Sequence, residues 1–146
     1  MADLSAFATK DNAEEGIIFP VKINGIKFPI AIKIFGSDSD AVKLYERKAI
    51  KKLKIGKDNS DGVDGDELVD LLDSNEGVLV RIGGIWSYDW EEGSIVEDDP
   101  VTLGDKTIGN DKKSYEFLLE KVPALKDWII EKSNKRENFL SERKEN

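Results

Sequence analysis

The dipeptide Asn24-Gly25 limits the possible folds of this chain more than any other short motif. It separates two runs rich in β-branched and aromatic residues, 17–23 and 26–35. Both residues tolerate the positive φ of a two-residue type I′ turn, so the pattern predicts a β-hairpin. Isoleucines in the second run alternate with Lys27 and Lys33, which predicts one buried and one solvated face. Pro20 and Pro29 lack an N–H donor and are expected at an edge, a bulge or a strand end.

A helix is predicted after the hairpin, from about residue 40 to Gly56. Ser37 or Ser39 can cap its start, and its apolar stripe is expected to pack on the core. Between residues 43 and 57 the chain carries seven basic residues and one acidic residue. The partner-binding candidates on this basic helix are Lys43, Arg47, Lys48, Lys51 and Lys52.

The sign of the charge reverses directly after this helix. Residues 58–76 carry eight acidic and no basic residues. Residues 57–66, where the charge reverses, are rich in Gly and Asp and are predicted to be an acidic loop, but their spacing does not fit an EF-hand. The basic helix can therefore bind an acidic partner, or a second copy through this loop. The alternatives are a solvated face, which we favour, and nucleic-acid binding, which a net charge of −8 disfavours.

The central segment, residues 77–90, is predicted to be a strand or a hairpin with a turn at Gly83-Gly84. Trp86, Tyr88 and Trp90 share one side of this segment at a spacing of two. Such a row can be a platform for a sugar or a protein partner, or it can pack in the core. We favour core packing, because buried aromatics contribute much of the apolar area of a small core.

The C-terminal part, residues 111–140, is predicted to form two helices separated by Pro123. Asn110 or Asp111 is expected to cap the first of them. Phe139 and Leu140 then follow a charged run, just before the polar residues 141–146. An apolar pair at this place requires cover, either from the protein's own core or from a partner. The sequence leaves both possibilities open.

Composition restricts the chemistry. The chain of 146 residues has no His and no Cys, which removes the commonest general base, thiolate sites and imidazole-dependent triads. Carboxylates such as Glu91-Glu92 lie beside glycine and are interpreted as solvated turn residues. No nucleotide-binding or nucleophile-elbow motif occurs. We therefore expect a protein that is not an enzyme and has no cofactor and no metal. No apolar run is long enough for a membrane span and no signal peptide is recognised, so a cytoplasmic protein is expected.

These patterns predict an α+β fold with one core. It contains an N-terminal β-hairpin, the basic helix, a central strand segment or hairpin, and two C-terminal helices. Residues 1–15 are expected to be a flexible arm with at most a short helical turn, residues 16–140 a single domain, and residues 141–146 a disordered tail.

Over about residues 19–140 the chain resembles the tail assembly chaperones of tailed bacteriophages and prophages. The resemblance lies in the order of segments: GIKFPIAIKIFGSDSDAV, a basic helix, an acidic linker, GIWSYDW and KVPALKDWIIEKSNKRENFL. The ending Arg136, Asn138, Phe139 and Leu140, with Pro123 and Trp128 upstream, is similar to the family's C-terminal helix. One departure is residues 77–82, which have a strand-like pattern here where the family more often has helix.

The resemblance implies a chaperone of the host bacterial cytoplasm that binds the tape measure protein and helps recruit tail tube subunits. Trp128, Arg136, Asn138, Phe139 and Leu140 then join the partner-binding candidates. Two other hypotheses remain: a tail or neck component retained in the virion, and a nucleic-acid-binding regulator that uses the basic helix.

Overall fold

The computed structural model describes residues 2–56 and 75–140. The strands in these ranges are β1 (Ile17–Ile23), β2 (Ile26–Ile34), β3 (Ile82–Asp89), β4 (Ser94–Val96), β5 (Val101–Leu103) and β6 (Lys106–Ile108). The α-helices are α1 (Lys10–Glu15), α2 (Asp40–Gly56), α3 (Asn75–Leu79), α4 (Lys112–Lys121) and α5 (Ala124–Asn134), and 3-10 turns span Ser5–Phe7 and Arg136–Phe139. The predicted α+β class, with its hairpin and C-terminal helices, is confirmed.

The N-terminal hairpin begins a four-stranded antiparallel sheet in the order β1-β2-β3-β4. Its turn has the expected positive φ angles, 52° at Asn24 and 80° at Gly25. The register of β1 against β2 shifts between Pro20 and Lys22, so Pro20 lies at a bulge in an edge strand. A separate hairpin of β5 and β6 packs beside β3.

The core forms on one face of the sheet. Phe19, Ile32 and Ile85 are register neighbours on adjacent strands and all three are buried. Helices α4 and α5 cover them with apolar side chains, among them Leu118, Leu119, Leu125 and Ile129. One face of an antiparallel sheet is enough to build such a core, so the other face can contact solvent or a partner.

The two C-terminal helices begin as the sequence predicts. Asp111 is the N-cap of α4, and its Oδ1 accepts from the Ser114 backbone N–H at 2.8 Å. Pro123 occupies the N-cap of α5, where its missing N–H costs no helical hydrogen bond. After α5 the chain makes the 3-10 turn Arg136–Phe139, which brings Phe139 back to the sheet.

The prediction of strand at residues 77–82 is wrong over its first part. Asn75–Leu79 form a short helix, with Gly77 and Val78 buried, and only Ile82 belongs to β3. Alternation over a few apolar residues cannot distinguish a strand from a buried helical turn, and the tertiary contacts decide. The Arg81 guanidinium donates to the Gly77 carbonyl, which fixes the chain at the end of α3. Gly83 and Gly84 lie within β3 instead of forming a turn.

The predicted flexible arm over residues 1–15 also needs correction. Residues 10–15 form α1, and Asn12 and Ala13 are buried. The Asn12 side-chain amide donates to the Phe139 carbonyl at 2.8 Å, so α1 is joined to the other end of the described chain. A contact across such a separation leaves no local periodic signal, which is why residues 1–15 looked unstructured. The predicted acidic loop, 57–66, and the predicted tail, 141–146, lie outside the described residues.

We expect Gly36→Ala to lower the free energy of unfolding by about 1–3 kcal/mol. A Cβ at Gly36 would lie 2.6 Å from the Ala13 Cβ and 3.1 Å from Phe139 Cδ2, so α1 or Phe139 would have to shift. Urea unfolding of the variant measures the loss. In a double-mutant cycle with Ala13→Gly, a favourable coupling energy is expected because the closest clash is removed. Purely additive losses would contradict this account.

Candidate protein-binding surfaces

The first candidate surface is the solvent side of α2. Its buried side consists of Val42 and Ala49, with Tyr45, Glu46 and Ile50 half-buried. The opposite side carries five exposed cations, which we call the basic face: Lys43, Arg47, Lys48, Lys51 and Lys52. All five lie on the exposed arc that the 3.6-residue period predicts. Leu44 is 46% exposed and lies among these cations.

The start of α2 is held by a network that reaches both ends of the described chain. Asp38 accepts a bidentate contact from Arg136, at 2.9 Å from Nε and 3.0 Å from Nη2, and a hydrogen bond from the Thr9 hydroxyl at 2.7 Å. Lys10 pairs with Asp40 at 2.9 Å, and the Asp40 backbone N–H donates to Glu14. These contacts lower the pKa of Asp38, chiefly through the Arg136 hydrogen bonds, and that of Asp40, chiefly through Lys10. These contacts hold the N-terminal end of α2, and therefore the basic face, in a fixed position.

The Asp38–Arg136 pair makes stability depend on pH in the acidic range. A carboxyl with a lowered pKa stabilises the fold above its unfolded-state pKa, near 4, and loses that contribution as pH falls through the folded-state pKa. We expect Asp38→Asn to lower the free energy of unfolding by about 1 kcal/mol at pH 7. The loss is small because Arg136 is largely exposed and solvent weakens the pair. This difference from the wild type should vanish as pH falls well below 4. Urea unfolding between pH 7 and pH 3 measures it.

Arg136→Gln is the matched control for the partner of the pair. It should remove the same pH-dependent advantage while leaving the Asp38 carboxyl in place. A wild-type advantage over both variants that stays constant down to pH 3 would contradict the assignment.

Most of the C-terminal binding candidates turn out to be structural. Trp128 and Phe139 are 7% and 1% exposed, and both meet Phe19 edge-on with ring centroids 6.4 Å apart. Asn138 is buried and donates to the Lys132 carbonyl at 3.1 Å. The interpretation of these three residues as partner-binding side chains is therefore corrected, because the core covers them. Leu140 is half-buried.

Arg136 is the exposed member of the C-terminal group. It is engaged with Asp38 inside the same chain, so its first role in this structure is to join the C-terminal turn to the start of α2.

The second candidate surface is the face of the sheet away from the core. Pro20, Ala31 and Trp86 are register neighbours on it, and Tyr88 follows Trp86 at a spacing of two. Tyr88 and Trp90 meet edge-on with ring centroids 5.2 Å apart. The favoured prediction that Trp86, Tyr88 and Trp90 pack in the core is wrong, since all three are half-buried and outside the core cluster. The bulge and the parity of β3 direct them to the other side.

Two further exposed apolar residues lie on these surfaces, and the sequence patterns above did not predict them there. Ile18, on the same face as Pro20 and Trp86, is 42% exposed, and Leu44 is exposed on α2. The parity of β1 could have identified Ile18, because it opposes Lys33 across the hairpin. Leu44 lies in the middle of the helical arc that carries the five cations, so the helical period could have identified its exposure.

A cleft lies beside the basic helix. It has a volume of about 570 Å³ and lies between α2, α3 and the start of α4. The Asn110 side-chain oxygen Oδ1 in it accepts from the Tyr115 hydroxyl at 2.8 Å and from the Ile85 backbone N–H at 2.7 Å, so this amide is engaged in holding the fold. Burial raises the pKa of Tyr115. Among residues 2–56 and 75–140 no group of three or more carboxylates is placed to hold a metal ion.

Comparison with protein families, curated proteins and solved structures finds no match to this chain. A search of the same residue ranges for a helix long and apolar enough to cross a bilayer also finds none. A function is therefore inferred from the charge, the exposure and the apolar side chains of the two surfaces.

Proposed function

We propose that this protein is a non-enzymatic tail assembly chaperone of a tailed bacteriophage or prophage. In this proposal it acts in the host bacterial cytoplasm, binds the tape measure protein and helps recruit tail tube subunits during tail morphogenesis. The observation that carries the proposal is the basic face of α2. Five exposed cations surround an exposed leucine on a chain whose net charge is −8.

The charge and exposure of the basic face determine the kind of partner that it selects. Clustered cations attract acidic surfaces and repel basic ones, so they accelerate encounter and fix orientation. Leu44 adds apolar area at the centre of the cluster, where an interface excludes water best. An amphipathic helix with apolar and acidic side chains satisfies both requirements. A long helical client such as a tape measure protein offers many segments of this kind.

The resemblance to tail assembly chaperones supports the proposal from a different direction, although its C-terminal signature has a structural meaning here. Phe139 and Trp128 belong to the core, so the similarity at the C-terminus reflects how the fold is closed. Client binding is therefore assigned to the solvent-facing parts of the chain.

Co-expression with the tape measure protein of the same phage or prophage tests the proposal. We expect the tape measure protein to be insoluble when expressed alone and to co-purify as a soluble complex when this chain is present. A tail tube protein added to the complex should be retained on it. If the tape measure protein never co-purifies, the proposal fails.

The basic face also favours a second candidate, a nucleic-acid-binding regulator. Phosphate contacts by several lysines would give an affinity that falls steeply with salt. Titration of labelled DNA and RNA at low ionic strength measures it. Binding that disappears when the basic face is neutralised would favour this candidate, and no binding at low salt would remove it.

A further inference from the structure

The sheet has a second apolar surface that the core does not use. We call it the outer aromatic face: Ile18, Pro20, Ala31, Trp86, Tyr88 and Trp90. Ala31 is fully buried, yet it stands outside the core cluster, with Pro20 and Trp86 as its register neighbours. Ile18 is 42% exposed and the three aromatic residues are half-buried. Unlike the core face, this face is not covered by α4 and α5.

The aromatic side chains of this face are fixed in place. A Cβ at Gly84 would lie 2.5 Å from Cη2 of Trp86, so the indole rests directly on the glycine backbone. The Trp90 indole N–H donates to the Phe28 carbonyl at 2.7 Å, and its ring contacts Tyr88. Rigid aromatic side chains lose little conformational entropy on binding, which is the property of interface anchors.

The charges around the face indicate which partner it fits. Lys33 on β2 is paired with Ile18 on β1 and with Gly84 on β3. Lys22 is paired with Lys27 at the other end of the hairpin. The Lys27 ammonium lies 5.4 Å from the Trp90 ring centroid. The three lysines lie on the β1–β2 side of the face, whereas Asp89, Glu91 and Glu92 lie on its β3–β4 side. The β1–β2 side, where apolar Ile18 and Pro20 are also placed, therefore favours apolar side chains flanked by carboxylates.

We propose that the outer aromatic face is a docking surface for an amphipathic protein segment that presents apolar side chains flanked by Asp or Glu. This rests on the proposed function in one respect, that such a segment belongs to the tape measure protein. The surface is distinct from the basic face of α2, so one client can be held at two places. Two linked contacts raise the overall affinity well above that of either one.

The experiment uses two probes on the full chain. The first is the tape measure protein, and the second is a synthetic amphipathic peptide of leucine and glutamate, about 20 residues long so that it can form a helix, with a leucine–lysine peptide as its counterpart. The indole N–H signals in NMR report the site of binding. Trp86 and Trp90 lie on the outer aromatic face, whereas Trp128 lies in the core and is an internal reference.

Ile18→Asp is the test variant. It introduces a carboxylate that repels the carboxylates of the bound segment, and Ile18 is not part of the core. Val96→Asp is the matched control, since Val96 is 37% exposed, close to the 42% of Ile18, but lies on β4 outside this face. We expect Ile18→Asp to weaken binding of the tape measure protein and of the glutamate peptide about tenfold, as loss of one interface anchor does. Val96→Asp should leave binding unchanged, and Trp86 and Trp90 signals should shift while Trp128 stays in place.

The outcomes separate this inference from the proposed function. If the tape measure protein binds but Trp86 and Trp90 do not respond and Ile18→Asp has no effect, the docking surface is wrong and the chaperone proposal stands. If the tape measure protein does not bind while the glutamate peptide shifts Trp86, the surface stands and its assigned client is wrong. Failure of both probes overturns the inference, as does equal binding of the lysine peptide or a wild-type dimer that Ile18→Asp dissociates.

Discussion

Phe139→Ala is expected to lower the free energy of unfolding by about 3–5 kcal/mol, the usual cost of removing a buried phenylalanine ring. Phe139 is 1% exposed and its ring meets Phe19 edge-on. Its backbone carbonyl accepts from Asn12, so the same residue joins α1 to the C-terminal turn. A loss of this size should lower the melting temperature by roughly 10 °C or more. Thermal unfolding followed by circular dichroism, with urea titration, measures both quantities.

Leu140→Ala is the matched control for this prediction. Leu140 is the next residue and is half-buried, so its truncation removes less contact and should cost about 1 kcal/mol. The pair distinguishes a core residue from an interface residue. If Phe139→Ala unfolds like the wild type and loses only partner binding, the placement of Phe139 in the core is refuted.

Local sequence patterns predicted the parts of this fold that depend on local physics. The Asn24-Gly25 turn is specified by the φ angles that its two residues accept, and the structure has them. Asp111 caps α4 through its own side chain, and Pro123 begins α5 because it needs no N–H there. Each of these signals lies within a few residues of its effect, so one sequence is enough to interpret it.

The errors concern elements whose position is fixed by distant residues. Helix α1 is held by a bond from Asn12 to Phe139, and its six residues carry too little periodicity to predict it. The helix α3 replaces a predicted strand because Val78 packs into the core from a single turn. In both cases the deciding contact joins segments far apart in the chain, and short-range pattern does not encode it.

In the candidate sites, too, the features set by local sequence were predictable and those set by distant contacts were not. The exposed arc of the basic face was predictable from helical periodicity, and the structure places its five cations there. The aromatic row was predicted to share one face, but which face meets the core depends on the register of β3 against β2. The C-terminal motif was recognised as a unit, yet the role of its members depended on burial, which only the packed structure provides.

Reversing three charges on the basic face is expected to weaken tape measure binding on the order of 100-fold at low ionic strength. The variant is Lys43→Glu, Arg47→Glu and Lys51→Glu, a row spaced four residues apart along the exposed side of α2. Losing three charge pairs of about 1 kcal/mol each, with repulsion in their place, accounts for this size. Affinity of the purified complex, measured at increasing salt, should fall for the wild type and change little for the variant.

The matched control reverses three exposed lysines elsewhere, Lys112→Glu, Lys113→Glu and Lys121→Glu on α4. It changes the net charge by the same amount, so a general effect of charge on solubility or encounter would appear in both variants. Only the α2 variant should lose the client, and circular dichroism should show both folded. Equal loss of affinity in both variants would mean that total charge governs binding. A docking site on α2 requires that charge reversal weaken binding on α2 and leave it unchanged on α4.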